Sequence, residues 1–140
     1  MKTCFFIGHR DADEALYPLI VQEVERHIVE YGVGEFIAGQ YGRFDGMAAR
    51  AVAEVRALHP GVKLLLLTPY LRNEPIPKRY DGAVYPDGLE SVPPRHAISR
   101  ANAYIIDRCD YIIAHVTRHY GGAWQALSRA RRKGKPVVNL

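Results

Sequence analysis

Five stretches of the chain are apolar almost throughout, and between them apolar residues recur at helical spacing. Lys2–Ile7, Glu35–Ala38, Val62–Leu67 and Tyr111–Val116 read as strands covered on both faces, and Pro136–Leu140 as a short closing strand. A helix is predicted from about Asp13 to Tyr31, where Leu16, Ile20, Val24, Ile28 and Tyr31 share one stripe; Gly32 and Gly34 stop it. A second runs from about Asp45 to His59, with Ala48, Val52, Val55 and Leu58 facing inward, and Pro60-Gly61 ends it. Two more are expected over Arg95–Arg108 and Gly122–Lys133, the last ended by Gly134. Leu71 to Pro94 breaks the pattern. Pro75, Pro77, Pro86, Pro93 and Pro94 forbid a long helix and leave room only for a short extended piece at Gly82–Tyr85. An insertion of that length is more often functional than idle. The β-α-β-α-β-loop-α-β-α-β order predicts the α/β class. It implies a single Rossmann-like domain over 1–140, an open, mostly parallel sheet with helices on both faces, joined by right-handed crossovers.

Three of the strands run into glycine and then a helix. The junctions are Gly8-His9-Arg10, Gly39-Gln40-Tyr41-Gly42 and, after Tyr111–Val116, Gly121-Gly122. Glycine lets backbone N–H groups crowd a ligand, and the helix start adds partial positive charge. In a parallel sheet all three loops open on the carboxyl edge, where such folds hold their ligands.

Composition narrows the partners. At 48% hydrophobic residues and a net charge of +4, the chain is an ordinary globular protein, suited to an anionic ligand without requiring nucleic acid. The cluster Arg129, Arg131, Arg132, Lys133 and Lys135 is a solvated helix face or a polyanion patch, the former being the usual case. Cys4 and Cys109 fall in or beside strands and read as buried thiols of a reducing compartment. Met1-Lys2 leads straight into the first strand, and no apolar run reaches membrane-spanning length. A cytoplasmic location away from membranes is therefore expected. The six histidines are scattered without zinc-ligand spacing, and no metal or cofactor is expected.

The residues resemble a family. Cys4–Arg10, Phe36–Gly39, Gly42–Asp45 with Ala48-Ala49, Asp87–Arg95, Asn102–Asp110, Gly121–Ala123 and Gly134–Leu140 follow one another as in the SLOG superfamily of DprA-like and LOG-like proteins, and are most similar to its YpsA/YspA-like branch. The resemblance implies a Rossmann-like fold, a pocket for a nucleotide or nucleotide-derived ligand, and relatives that are often dimers, hence a homo-oligomer. LOG relatives hydrolyse nucleoside monophosphates with an Arg and the Glu of a Gly-Gly-x-Gly-Thr-x-x-Glu motif. Here Gly121-Gly122 matches its start, but Trp124, Gln125 and Ser128 stand where Gly, Thr and Glu would be. Ala101-Asn102 stands where the branch commonly reads Arg-Asn.

The candidate ligand-binding residues are Gly8, His9, Arg10, Gly39, Gln40, Tyr41, Gly42, Asp45, Asn102, Gly121, Gly122, Ala123 and Trp124. Gly8 lets the chain turn beneath a ligand or merely ends a strand. His9 and Arg10 carry donors for a phosphate or carboxylate. Tyr41 and Trp124 are stacking surfaces or packing anchors. Asp45 is a helix N-cap, or else a ribose contact and the one weak catalytic candidate. Asn102 bonds a ligand or nearby backbone. The Gly121-Gly122 turn is the leading phosphate candidate. The favoured function is a non-catalytic module binding a nucleotide-like small molecule. The alternatives are a LOG-like phosphoribohydrolase and, ranked last, single-stranded DNA binding, so nucleic acid is not the expected partner.

Overall fold

In the computed structural model, which describes residues Met1 to Leu140, the apolar runs become a six-stranded sheet. The strands are β1 (Lys2–Gly8), β2 (Val33–Ala38), β3 (Lys63–Leu67), β4 (Gly82–Val84), β5 (Tyr111–His115) and β6 (Val137–Asn139). The helices are α1 (Tyr17–Tyr31), α2 (Arg43–Val55), α3 (Pro94–Arg108) and α4 (Gly122–Arg132). The order across the sheet is β4-β3-β2-β1-β5-β6, and every pairing is parallel.

Alternation along each strand sorts the core into two layers. From β1, Cys4 and Phe6 join Phe36, Phe44, Ile20, Val24 and Met47 under α1 and α2. Phe5 and Ile7 point the other way, toward Ile105, Ile106, Ile112 and Leu127 under α3 and α4. The chain steps outward from β1 to β4, and α3 then carries it back to place β5 on the other side of β1. Loops after β1 and β5 therefore diverge to opposite faces, and a cleft opens between them at this switch point. The two strands end level, with Gly8 opposite His115. No helix is long and apolar enough to cross a membrane.

Several boundaries differ from the sequence pattern for local reasons. Asp13 caps a 3-10 turn over Glu14–Leu16, its Oδ1 accepting the Ala15 N–H at 2.9 Å, and α1 begins after it at Tyr17. Gly32 ends α1 in the left-handed region at φ 72°, whereas Gly34 lies within β2. Helix α2 starts at Arg43 rather than Asp45 and ends at Val55 in a tighter turn over Arg56–Leu58. That turn swings Leu58 outward to 79% exposure, correcting its expected inward placement. The extended piece in the insertion is β4, a parallel edge strand on β3, anchored by Asp81, which accepts the Leu64 N–H and an Arg56 guanidinium N–H.

The basic C-terminal cluster is partly engaged in packing. Arg129 donates to both oxygens of Asp107 at 2.9 and 2.7 Å, and Lys135 Nζ donates to the carbonyls of Asp107 and Cys109. Both cysteines are buried free thiols, and burial pushes them above their ordinary pKa.

Candidate functional site

The cleft at the switch point encloses about 630 Å³, within the range of small-molecule sites. The loops after β1, β2 and β5 and the inner faces of α3 and α4 supply its walls. Gly8, His9, Arg10, Gly39, Tyr41, Asp45, Asn102, Gly121, Gly122 and Ala123 all line it.

Gly8 has a packing reason to be glycine. A Cβ there would overlap the Phe44 ring, so the residue lets α2 close onto the end of β1. His9 follows it, buried, and its Nε2 accepts the Thr117 N–H at 3.0 Å. An accepting Nε2 puts the proton on Nδ1. Burial and the nearby Arg118 and His115 lower the His9 pKa, which agrees with a neutral ring. His9 thus ties the β1 loop to the β5 loop across the switch point. Arg118 closes the mouth of the fork by donating to both oxygens of Asp11 at 3.0 Å, and that bond holds the Asp11 carboxyl below its usual range. Arg10 reaches the same cleft, and its side chain makes no hydrogen bond to the protein.

Gly121 takes φ 90° as the N-cap of α4, a conformation that a side chain strains, and no side chain caps this helix. Its first-turn N–H groups are left for a ligand or water. The positive φ belongs to Gly121, not Gly122. At Gly122 a Cβ would meet nothing within 4 Å.

Asp45 is not the N-cap of α2; that place is taken by Gly42. It sits in the first turn, and its Oδ2 reaches back to accept the Tyr41 N–H at 3.1 Å. The carboxylate lies against Gly39, where an added Cβ would come within 2.9 Å of Oδ2. Burial raises the Asp45 pKa to about 6, opposed by the Tyr41 N–H and by Arg10. A titrating carboxyl in a cleft is a functional-site signal.

The raised pKa has a stability consequence. The folded state holds the Asp45 proton more tightly than the unfolded chain does. Stability is therefore lost as pH rises from about 4 through about 6, and the loss persists above that. Asparagine removes the charge and keeps an acceptor for Tyr41. Allowing for solvent on the cleft side, Asp45→Asn should gain about 2 kcal/mol over wild type between pH 4 and pH 8. Denaturant melts of both proteins at the two pH values check this.

Three expected contacts are not brought to the cleft. Gln40 is exposed, and its Oε1 accepts the Arg72 Nη1–H at 3.0 Å, tying the β2 loop to the insertion. Gly42 turns away at φ 123° against the Arg10 backbone. Trp124 lies outside the cleft and stacks one ring face on His119, ring centroids 4.7 Å apart. The sequence reading also missed Asp11, Arg118, Tyr120, Pro69 and Ile98. A cation three residues before Gly121-Gly122 was the available signal for Arg118.

No protein-family profile matches the chain, and no curated protein matches its sequence. The fold has solved counterparts. DNA processing protein A (DprA) from Streptococcus pneumoniae superposes with a TM-score of 0.68 at 18% identity, covering 98% of this chain and 49% of that one. DNA processing protein A from Helicobacter pylori, described for its single-stranded DNA binding mode, gives 0.66 at 17% identity, covering 97% of this chain and 63% of that one. The chain thus spans about half of the first and under two thirds of the second. The shared feature is the Rossmann-like α/β fold.

Proposed function

We propose that the chain is a SLOG protein of the YpsA/YspA-like branch that binds a nucleotide or nucleotide-derived anion in this cleft without turning it over. One observation carries the reading. The uncapped start of α4, with Gly121 at φ 90°, opens into the same cleft as Arg10 and Arg118. Helix N–H groups and guanidinium forks are both phosphate-recognition chemistry. Leu67, Pro69, Ile98 and Ala101 supply an apolar wall suited to a base. A thermal-shift screen of nucleotides tests the reading. A ligand at 100 times its Kd should add about 2.7 kcal/mol of stability, and no stabilisation by any nucleotide would remove the proposal.

Ser128, which stands at the LOG glutamate position, and Gln125 lie outside the cleft. Its two lining carboxylates are Asp11, held by Arg118, and Asp45. Incubation with nucleoside monophosphates should therefore release no free base above background by chromatography. Steady release that Asp45→Asn abolishes would make the protein a hydrolase instead.

Single-stranded DNA binding is the second reading, favoured by the fold shared with the Helicobacter pylori protein. Against it, Arg129 and Lys133 of the basic cluster are drawn to Asp107. Displacement of a bound nucleotide by an oligothymidine would favour DNA.

A further inference from the structure

The two ends of the cleft offer a ligand different partners. At the β5 end lie Arg118 and the uncapped start of α4. At the β2 end lies the Asp45 carboxylate, packed against Gly39. Only Oδ2 of Asp45 is engaged, by the Tyr41 N–H; Oδ1 accepts no protein hydrogen bond, and Arg10, the nearby cation that favours its charged form, makes no hydrogen bond to it. An ionised carboxylate accepts about four hydrogen bonds, so this one has lone pairs open to water or a ligand. Strands β2 and β5 flank β1, so the two ends are separated by two strand spacings, about 10 Å.

A ligand filling the cleft must present acid at one end and O–H or N–H donors at the other. We propose that Asp45 reads the sugar of the bound nucleotide, its free carboxylate oxygen accepting a hydrogen bond from a ribose hydroxyl, so that the cleft selects ribonucleotides over nucleotides without free sugar hydroxyls. This inference rests on the nucleotide reading above. The phosphate goes to Arg118, Arg10 and Gly122, the ribose to Asp45, and the base to the apolar wall. An internal nucleotide of a DNA strand has neither hydroxyl free and leaves Asp45 unpaired. A site built to bond a hydroxyl rejects the analogue that lacks it, because the partner is left desolvated. Asp45 is on this account a specificity-determining residue.

The test is calorimetric titration at pH 7.5 with the four common ribonucleoside diphosphates and their 2′,3′-dideoxy counterparts, using wild type and Asp45→Ala. Wild type should bind the best ribonucleotide about 10- to 100-fold more tightly than its dideoxy form, the range of one hydrogen bond to a charged group. Asp45→Ala should close most of that gap by weakening the ribonucleotide, not the dideoxy form. Equal binding of both forms by wild type overturns the inference and leaves the nucleotide reading standing. A gap that survives in Asp45→Ala, which leaves the hydroxyl no partner at 45, also overturns it, because the hydroxyl then has another partner. Binding of none of the diphosphates overturns both.

Discussion

Gly8→Ala should cost the fold about 3 kcal/mol, the upper end of what overpacking a filled core does. The added methyl would occupy the space of the Phe44 ring, which is fully buried and packs edge-on to Phe6 with ring centroids 6.4 Å apart. Neither side can yield easily. Gly8 is the last residue of a central strand, paired with His115, and Phe44 sits in the first turn of α2. Denaturant melts of Gly8→Ala, Phe44→Leu and the double variant separate the causes. The double variant should be more stable than the sum of the single losses predicts, because a smaller side chain at 44 makes room for the methyl. Wild-type stability in Gly8→Ala would show that the β1 end and α2 are not in this contact.

The pattern of the sequence sufficed for β1, β2, β3 and β5, which carry the buried apolar runs, and was weaker for the short edge strands β4 and β6. It could not supply the strand order, since periodicity says nothing about which strand the return helix reaches. The cleft's lining was legible where glycine marked a strand-to-helix corner, as at Gly39 and Gly121. Elsewhere a side chain has a protein partner that the sequence does not show. Trp124 had His119, and Gln40 had Arg72. Asp45 was misread in a different way. Glycine at position 42 took the cap, and the aspartate one turn on was left buried with a raised pKa. Arg118 escaped because an arginine in a loop looks like any solvated cation until Asp11 is brought beside it.

Gly122→Val should weaken nucleotide binding by tenfold or more while leaving the unfolding midpoint nearly unchanged. Gly122 is the first residue of α4, it lines the cleft, and a Cβ there meets nothing within 4 Å. The protein has room for the side chain, but only because the cleft is empty of protein. A branched side chain would fill the space in which a phosphate meets the helix N–H groups, whose electrostatic contribution is about 0.3–1 kcal/mol when exposed and about 2 when partly buried. Steric exclusion adds to that loss. The neighbouring Gly121 is the wrong position for this test, because φ 90° makes any side chain there strain the backbone as well. Calorimetry and denaturant melts on one preparation of Gly122→Val give both quantities. Unchanged affinity in the folded variant would move the phosphate to the Gly8-His9-Arg10 loop.

The most direct test of where the ligand sits is an amide chemical-shift map of the isotope-labelled protein titrated with a ribonucleoside diphosphate. The account predicts saturating shifts at His9, Arg10, Gly39, Tyr41, Gly121, Gly122 and Ala123, with the outer faces of the helices silent. Saturating shifts confined to the basic end of α4, around Arg131 to Lys135, with the cleft amides unmoved, would contradict it.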